Sequence, residues 1–137
     1  MFMKYFRPYE IVDRATYDRF GIASFNLFNP DALQALDDLR EFFDVPVVVN
    51  NWKTGGPFQW RGFRNPRCPQ YRAGSQHSLG NAFDLDIQGF TAEQARSRII
   101  ECKDHLLLHK IMRLEGGVNW VHFDLLHVVN RIYVFKA

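Results

Sequence analysis

The clearest periodic segment of the chain lies between Asn29 and Asp44. Apolar residues recur there at three- and four-residue intervals, which predicts an amphipathic helix over residues 30 to 43. Asn29 can cap the first turn, and the proline that follows it is favoured at the first helical position. A β-branched run from Val45 to Val49 then predicts a short buried strand. The apolar positions of the helix are Leu33, Leu36, Leu39 and Phe43.

The pattern changes from Asn50 to Ser75, where glycines and prolines repeatedly interrupt the chain. This composition predicts a long ordered loop, a feature that is uncommon in compact domains and often functional. Residues Ala82 to Ile87 then alternate as in a strand. Thr91 and Gln94 have the spacing of a capping box, so a helix is expected to follow to about residue 103.

The last third of the chain is rich in short apolar runs. The run from Leu106 to Leu114 fits either a helix or a strand, and periodicity alone does not decide. Strands are expected at Trp120 to Leu126 and at Ile132 to Phe135, separated by a turn at Asn130-Arg131. The whole chain, residues 1 to 137, is expected to form a single α+β domain, with a small antiparallel sheet and helices packed on one side.

Composition narrows the possible functions. The chain has 17 basic and 15 acidic residues, a balance that does not favour nucleic-acid binding. Four arginines precede His77 in the loop, and they fit either an anionic substrate or a solvated surface. The two cysteines, which match no metal-binding spacing, are expected to be free thiols. The arginines are Arg61, Arg64, Arg67 and Arg72.

Candidate chemistry is concentrated in two short segments. The first runs from Ser75 to Asp84 and places His77 and Asp84 seven residues apart, with Gly80 between them to allow a tight turn. The second contains His122. Two histidines and one carboxylate are a typical ligand set for catalytic zinc. From strand alternation alone, Asp86 is an equally good carboxylate, because it shares a face with Asp84.

The segment around His122 also alternates. Trp120, His122 and Asp124 fall on one face of the expected strand. Asp124 is therefore well placed to accept a hydrogen bond from His122 and orient it, or else to be a solvent-facing acid. Trp120 is expected either to pack or to form the wall of a substrate groove.

The residues Ser75-x-His77-x-x-Gly80-x-Ala82-x-Asp84, followed by Trp120-x-His122, resemble a family of zinc peptidases. That family includes D-alanyl-D-alanine carboxypeptidases and phage L-alanyl-D-glutamate endolysins. Its fold is shared with the N-terminal signalling domain of Hedgehog proteins. The resemblance covers roughly residues 45 to 126, leaves the first 44 residues without a role, and is strongest to bacteriophage members.

The resemblance implies His77, Asp84 and His122 as zinc ligands, which favours Asp84 over Asp86. It also implies a substrate-binding arginine in a Gly-Phe-Arg segment, here Arg64 of Gly62-Phe63-Arg64. Further substrate contacts would come from Ser75, Trp120 and Arg72, and Arg61 and Arg72 are alternatives to Arg64.

The chain departs from the family pattern at the general base. Many members carry an acid three residues before the last histidine ligand, where this chain has Asn119. Glu115, which precedes a Gly-Gly turn, is the candidate replacement.

The resemblance implies a zinc-dependent hydrolase that cuts an amide bond in the peptide stem of bacterial peptidoglycan, for cell lysis or entry. The alternative is a zinc-binding virion or structural module with the same fold and no turnover. The first residues contain no signal-peptide pattern, so the expected location is the host cytoplasm until release to the cell wall, or the virion.

Overall fold

A five-stranded sheet forms the centre of the computed structural model, which describes residues 2–136. The spatial order is β1-β2-β4-β3-β5. The strands are β1 (Val47–Val48), β2 (Ala82–Ile87), β3 (Arg113–Gly116), β4 (Val121–Asp124) and β5 (Tyr133–Lys136). Three of the four strand pairs are antiparallel, whereas β3 and β5 are parallel.

The expected α+β class is confirmed, but the sheet is mixed rather than wholly antiparallel. The parallel pair has a simple geometric cause. Strand β4 is flanked on both sides, by β2 and β3, so the next strand must pair at a free edge of the sheet, and it does so beyond β3. Because β3 is antiparallel to β4, a chain that reverses direction after β4 runs in the same direction as β3.

Three α-helices occur within the described residues: α1 (Arg14–Phe20), α2 (Pro30–Phe43) and α3 (Ala92–Glu101). The bounds of α2 agree with the sequence prediction, and the Asn29 side chain accepts a hydrogen bond from the Asp31 N–H as its cap. The Thr91–Gln94 capping box is formed at the start of α3. Among residues 2–136, no helix is long and apolar enough to cross a membrane.

Other predicted elements differ in extent. Helix α3 ends two residues earlier than expected, and the strands around Val47 and Val121 are shorter. The undecided run 106–114 divides into a 3-10 turn, Leu106–Leu108, and the start of β3. Further 3-10 turns lie at Pro8–Glu10, Gly21–Leu27 and Trp52–Thr54.

The two faces of the central strands have different environments. Phe83 and Leu85 of β2 and Phe123 of β4 are fully buried in a core shared with α2 and α3. Helix residues in this core include Leu36, Leu39 and Ile99. Because successive strand residues alternate between faces, the opposite face of β2 and β4 presents Asp84, His122 and Asp124.

The loop between β1 and β2 is held by the N-terminal segment. The Asn50 side-chain amide and the Trp52 indole N–H both donate to the Val12 carbonyl. The Phe63 N–H donates to the Ile11 carbonyl, 3.0 Å away. Residues near the N-terminus, for which the sequence suggested no role, therefore support the loop that precedes the His77 motif.

Candidate metal centre

His77, Asp84 and His122 converge on the polar face of the sheet. Asp84 and His122 are direct partners in the register of β2 and β4. His77 reaches them from the loop before β2. One nitrogen of each histidine and one oxygen of Asp84 lie within 4.8 Å of one another, and all three residues are buried. This group could hold a metal ion, as the spacing of the motif predicts.

Gly80 allows the chain to bring His77 back to β2. Its φ of +72° is in the left-handed region, and its N–H donates to the His77 carbonyl, 3.2 Å away. A Cβ at this position would collide with the backbone of Leu27 and Phe28. Glycine is required here both for its conformation and for the close approach of the neighbouring chain.

Each histidine has one nitrogen held by the protein and the other directed at Asp84. The Nδ1 of His77 lies 2.8 Å from the Gly62 carbonyl, and its Nε2 lies 3.3 Å from Asp84 Oδ2. The Nε2 of His122 lies 2.8 Å from Asp124, and its Nδ1 lies 2.8 Å from Asp84 Oδ1. Metal-binding histidines are usually oriented in this way, by an acceptor at the second nitrogen.

One pair of these atoms already has the spacing of two ligands on a tetrahedral cation. Two ligands about 2.1 Å from one zinc ion are roughly 3.4 Å apart, given zinc's usual bond lengths and angles. The His77–Asp84 separation of 3.3 Å matches this spacing. The His122 Nδ1–Asp84 separation of 2.8 Å is to the other carboxylate oxygen, Oδ1, and would have to lengthen by roughly half an ångström on metal binding.

The electrostatics of the cluster favour an ionised Asp84. Burial by itself raises the pKa of this carboxyl, but hydrogen bonds from His122 and His77 outweigh burial and hold the pKa well below its usual range. Burial by itself lowers the pKa of His122, whereas its bonds to Asp124 and Asp84 raise that pKa to about 9. In the metal-free cluster His122 is therefore a cation between two carboxylates.

Arg113, which sequence reasoning missed, anchors this arrangement. Its guanidinium donates two hydrogen bonds of 2.8 Å to Asp124, and the two residues are register partners on β3 and β4. The Asp124 side chain is fully buried. Asp124 is thus the expected partner of His122 and not a solvent-facing acid. A signal for Arg113 existed in its spacing from Glu115, since residues two apart on a strand share a face.

Arg64, the arginine implied by the family resemblance, lies at the cluster. Its Nη2 is 3.0 Å from Asp84 Oδ2, and its Nε donates to the Trp60 carbonyl. The backbone of the same loop is joined to β2, because the Asp84 N–H donates to the Arg61 carbonyl. Asp86, the competing carboxylate, instead pairs with Arg61 at 2.9 Å and is half exposed, outside the cluster.

Two adjoining cavities surround the cluster. The first, called the metal cavity, has a volume of about 600 Å³ and is lined by all three cluster residues and by Glu115 and Ser75. The second, called the side cavity, has a volume of about 380 Å³ and includes Trp60, Phe58 and Asn119. Four residues line both cavities: Arg64, Gln70, Asp84 and Trp120.

The candidate substrate-binding residues differ in whether they line a cavity. Ser75, whose hydroxyl lies 2.9 Å from that of Ser78, and Trp120 both line the metal cavity. Arg72 is exposed and lines neither cavity, although its carbonyl accepts a hydrogen bond from the Ser78 hydroxyl. Glu115 lies in the metal cavity, whereas Asn119 lies only in neighbouring ones.

Comparison with protein-family models, with curated proteins and with solved structures found no match to this chain. The family resemblance therefore rests on the motif residues, and the functional inference rests on the geometry of the cluster.

Proposed function

We propose that this protein is a zinc-dependent peptidase that hydrolyses an amide bond in the peptide stem of bacterial peptidoglycan. The observation that carries the proposal is the convergence of His77, Asp84 and His122 at the wall of an open cavity. Three protein ligands with a free approach are the arrangement of catalytic zinc sites, whereas structural zinc sites are closed by four.

The ligands would be His77 Nε2, an Asp84 oxygen and His122 Nδ1, the atoms that face one another. Bound zinc would supply Lewis acidity, polarising a carbonyl and lowering the pKa of water toward about 7. Gly62 and Asp124 hold the other histidine nitrogens and thereby fix the directions of the ligand atoms.

The remaining roles follow from side chains in the same cavity. Glu115 takes a proton from the attacking water and passes it to the departing amine. Arg64 donates to the carbonyl oxygen through Nη1 as that oxygen gains negative charge, since its Nε and Nη2 already bind Trp60 and Asp84. The hydroxyl of water joins the carbonyl carbon, the C–N bond breaks, and the amine leaves with the proton. The choice of peptidoglycan as substrate is supported by the motif residues that resemble the endolysin family.

The decisive test is dye release from purified cell walls by the zinc-loaded protein. Release should stop on addition of a chelator and return with zinc. The Glu115→Gln variant should retain zinc but lose release, because the amide cannot accept the proton. Glu101→Gln makes the same change at an exposed residue at the end of α3 and should behave like the wild type. Chelator-insensitive release would contradict the proposal.

A second candidate function is a zinc-binding module without turnover. It is favoured by Asn119, which stands where the related peptidases carry an acid and which is exposed outside the metal cavity. This reading predicts one bound zinc per chain, intact cell walls, and a Glu115→Gln variant indistinguishable from the wild type. The same dye-release assay, with metal analysis, separates the two candidates.

A further inference from the structure

The arginines near the cluster are already paired. Among the described residues that line the two cavities, the cationic side chains other than the histidines are Arg61, Arg64 and Arg113. Each is mostly buried, and each contacts a carboxylate of the chain. The pairs are Arg61–Asp86 at 2.9 Å, Arg64–Asp84 at 3.0 Å and Arg113–Asp124 at 2.8 Å.

This pairing leaves no arginine prepared for a substrate carboxylate. A carboxylate removed from water needs an opposite charge and hydrogen bonds to offset its lost hydration. In this site a substrate carboxylate would have to compete for an arginine that is already paired, because Asp84, Asp86 and Asp124 each contact one of the three guanidinium groups. Glu115 adds another acid to the wall of the metal cavity. A free C-terminal carboxylate would therefore approach side chains that are either acidic or already paired with an acid.

The uncharged lining instead suits a peptide backbone. Gln70, Ser75 and Gln76 line the metal cavity, and Gln59 and Asn119 line the side cavity. These side chains offer neutral donors and acceptors, which match amide groups without charge. The Trp120 indole N–H lacks a hydrogen-bond partner within the described part of the chain.

The two cavities also extend in two directions from the cluster. They share Asp84 and Arg64, so the metal-binding group lies where they adjoin. A site that cuts at a chain end needs room mainly on one side of the reacting bond and an anchor for the terminus. A site that cuts within a chain needs room on both sides and no such anchor.

We infer that the site takes an internal segment of a peptide and cuts it as an endopeptidase, without recognising a C-terminal carboxylate. The inference rests on the proposed function and specifies its substrate. Residues on one side of the cut lie in the metal cavity and residues on the other side lie in the side cavity. Arg64 faces the bond between them.

The test uses one synthetic stem peptide in two forms, with a free C-terminal carboxylate and with a C-terminal carboxamide. Zinc-loaded protein should cut both at the same internal amide, with kcat/KM values within about tenfold, since an exposed charge contributes little. Mass spectrometry of the products identifies the bond. Release of a single C-terminal residue, or a carboxamide form cut more than about tenfold more slowly, would overturn the inference. The His77→Ala protein measures background hydrolysis.

Failure of the proposed function gives a different result. If neither peptide is cut, calorimetric dissociation constants of the zinc-loaded protein for the two forms decide. Equal binding within about tenfold supports recognition of an internal segment without its carboxylate, whereas the cleavage step then fails together with the proposed function. Tighter binding of the free acid by more than about tenfold, or no binding of either form, overturns the inference.

Discussion

Arg113 holds Asp124 by two hydrogen bonds of 2.8 Å, and Asp124 in turn lies 2.8 Å from Nε2 of His122. An arginine on one strand thus fixes a histidine on the next through a fully buried carboxylate. The carboxylate is ionised, because its hydrogen bonds to His122 and Arg113 outweigh the effect of burial and lower its pKa. The direction of His122 Nδ1 toward Asp84 depends on this chain of contacts.

Replacing Asp124 should therefore weaken metal binding without removing a ligand. We expect Asp124→Asn to reduce zinc affinity by about 10- to 100-fold, the usual effect of losing a partner that orients a ligand. Competition with a chromophoric chelator measures the affinity. Asp86→Asn makes the same chemical change on β2 outside the cluster and should leave it unaltered. Equal affinities for the two variants would remove Asp124 from this role.

Replacing a ligand should have a larger effect. We expect His77→Ala and His122→Ala each to abolish zinc retention, because two ligands remain where three are needed. Elemental analysis after gel filtration measures the zinc content. His127→Ala, which changes an exposed histidine, is the matched control and should keep the wild-type content. Full occupancy in either ligand variant would refute the ligand set.

The Gly62 position should be intolerant of a side chain. A Cβ there would collide with the Ile11 carbonyl, and the Gly62 carbonyl is the acceptor for His77. We expect Gly62→Ala to lower the free energy of unfolding by about 1–3 kcal/mol, the usual cost of overpacking, and to weaken zinc binding. Urea denaturation and chelator competition measure the two effects.

Gly74→Ala is the control for that variant, since nothing lies within 4 Å of a Cβ at Gly74 and its φ is not positive. It should be near neutral in both assays. If Gly62→Ala binds zinc as tightly as Gly74→Ala does, contact with the N-terminal segment does not position His77.

The metal-free protein should lose stability as the pH rises. The pKa of His122 is raised from 6.5 to about 9 in the folded state, because Asp124 and Asp84 stabilise its charge against the opposing effect of burial. The stabilisation is full below about pH 6.5 and is lost as the pH rises through about 9. We expect a loss of order 3 kcal/mol in the free energy of unfolding across this range.

Urea denaturation in the presence of a chelator, followed from acidic to alkaline pH, tests this expectation. The His122→Gln variant should lack most of the decrease, because it has no imidazole to titrate. If the free energy of unfolding decreases equally in both proteins, the pH dependence comes from groups other than His122.

Much of the fold follows from local sequence. The bounds of α2 come from its apolar spacing together with Asn29 and Pro30, and β2 is marked by the alternation of apolar and acidic residues from Phe83 to Ile87. The capping box at Thr91 likewise acts within four residues. Such elements are predictable because the interactions that define them join residues close together in the chain.

The order of the strands in the sheet was harder to predict from the sequence than the helices and strands themselves. The sequence gives no sign that β5 would lie parallel to β3, because that pairing depends on which strand edge is still free after β4 has been placed. The site likewise contains features that the sequence predicted and features that it did not. The spacing of His77, Gly80 and Asp84 predicted the metal-binding group, whereas the Arg113–Asp124 pair and the Gly62 acceptor went unrecognised.

The chain by itself determined which side chains could bind a metal, and which face of each strand would carry them, since both properties depend on residue type and alternation. Only the tertiary structure decided that Asp86 pairs with Arg61 outside the cluster, that Arg113 supports Asp124, and that every arginine lining the cavities is paired. These contacts join residues 11 to 25 positions apart. Strand register and loop packing, rather than local preference, bring such residues together.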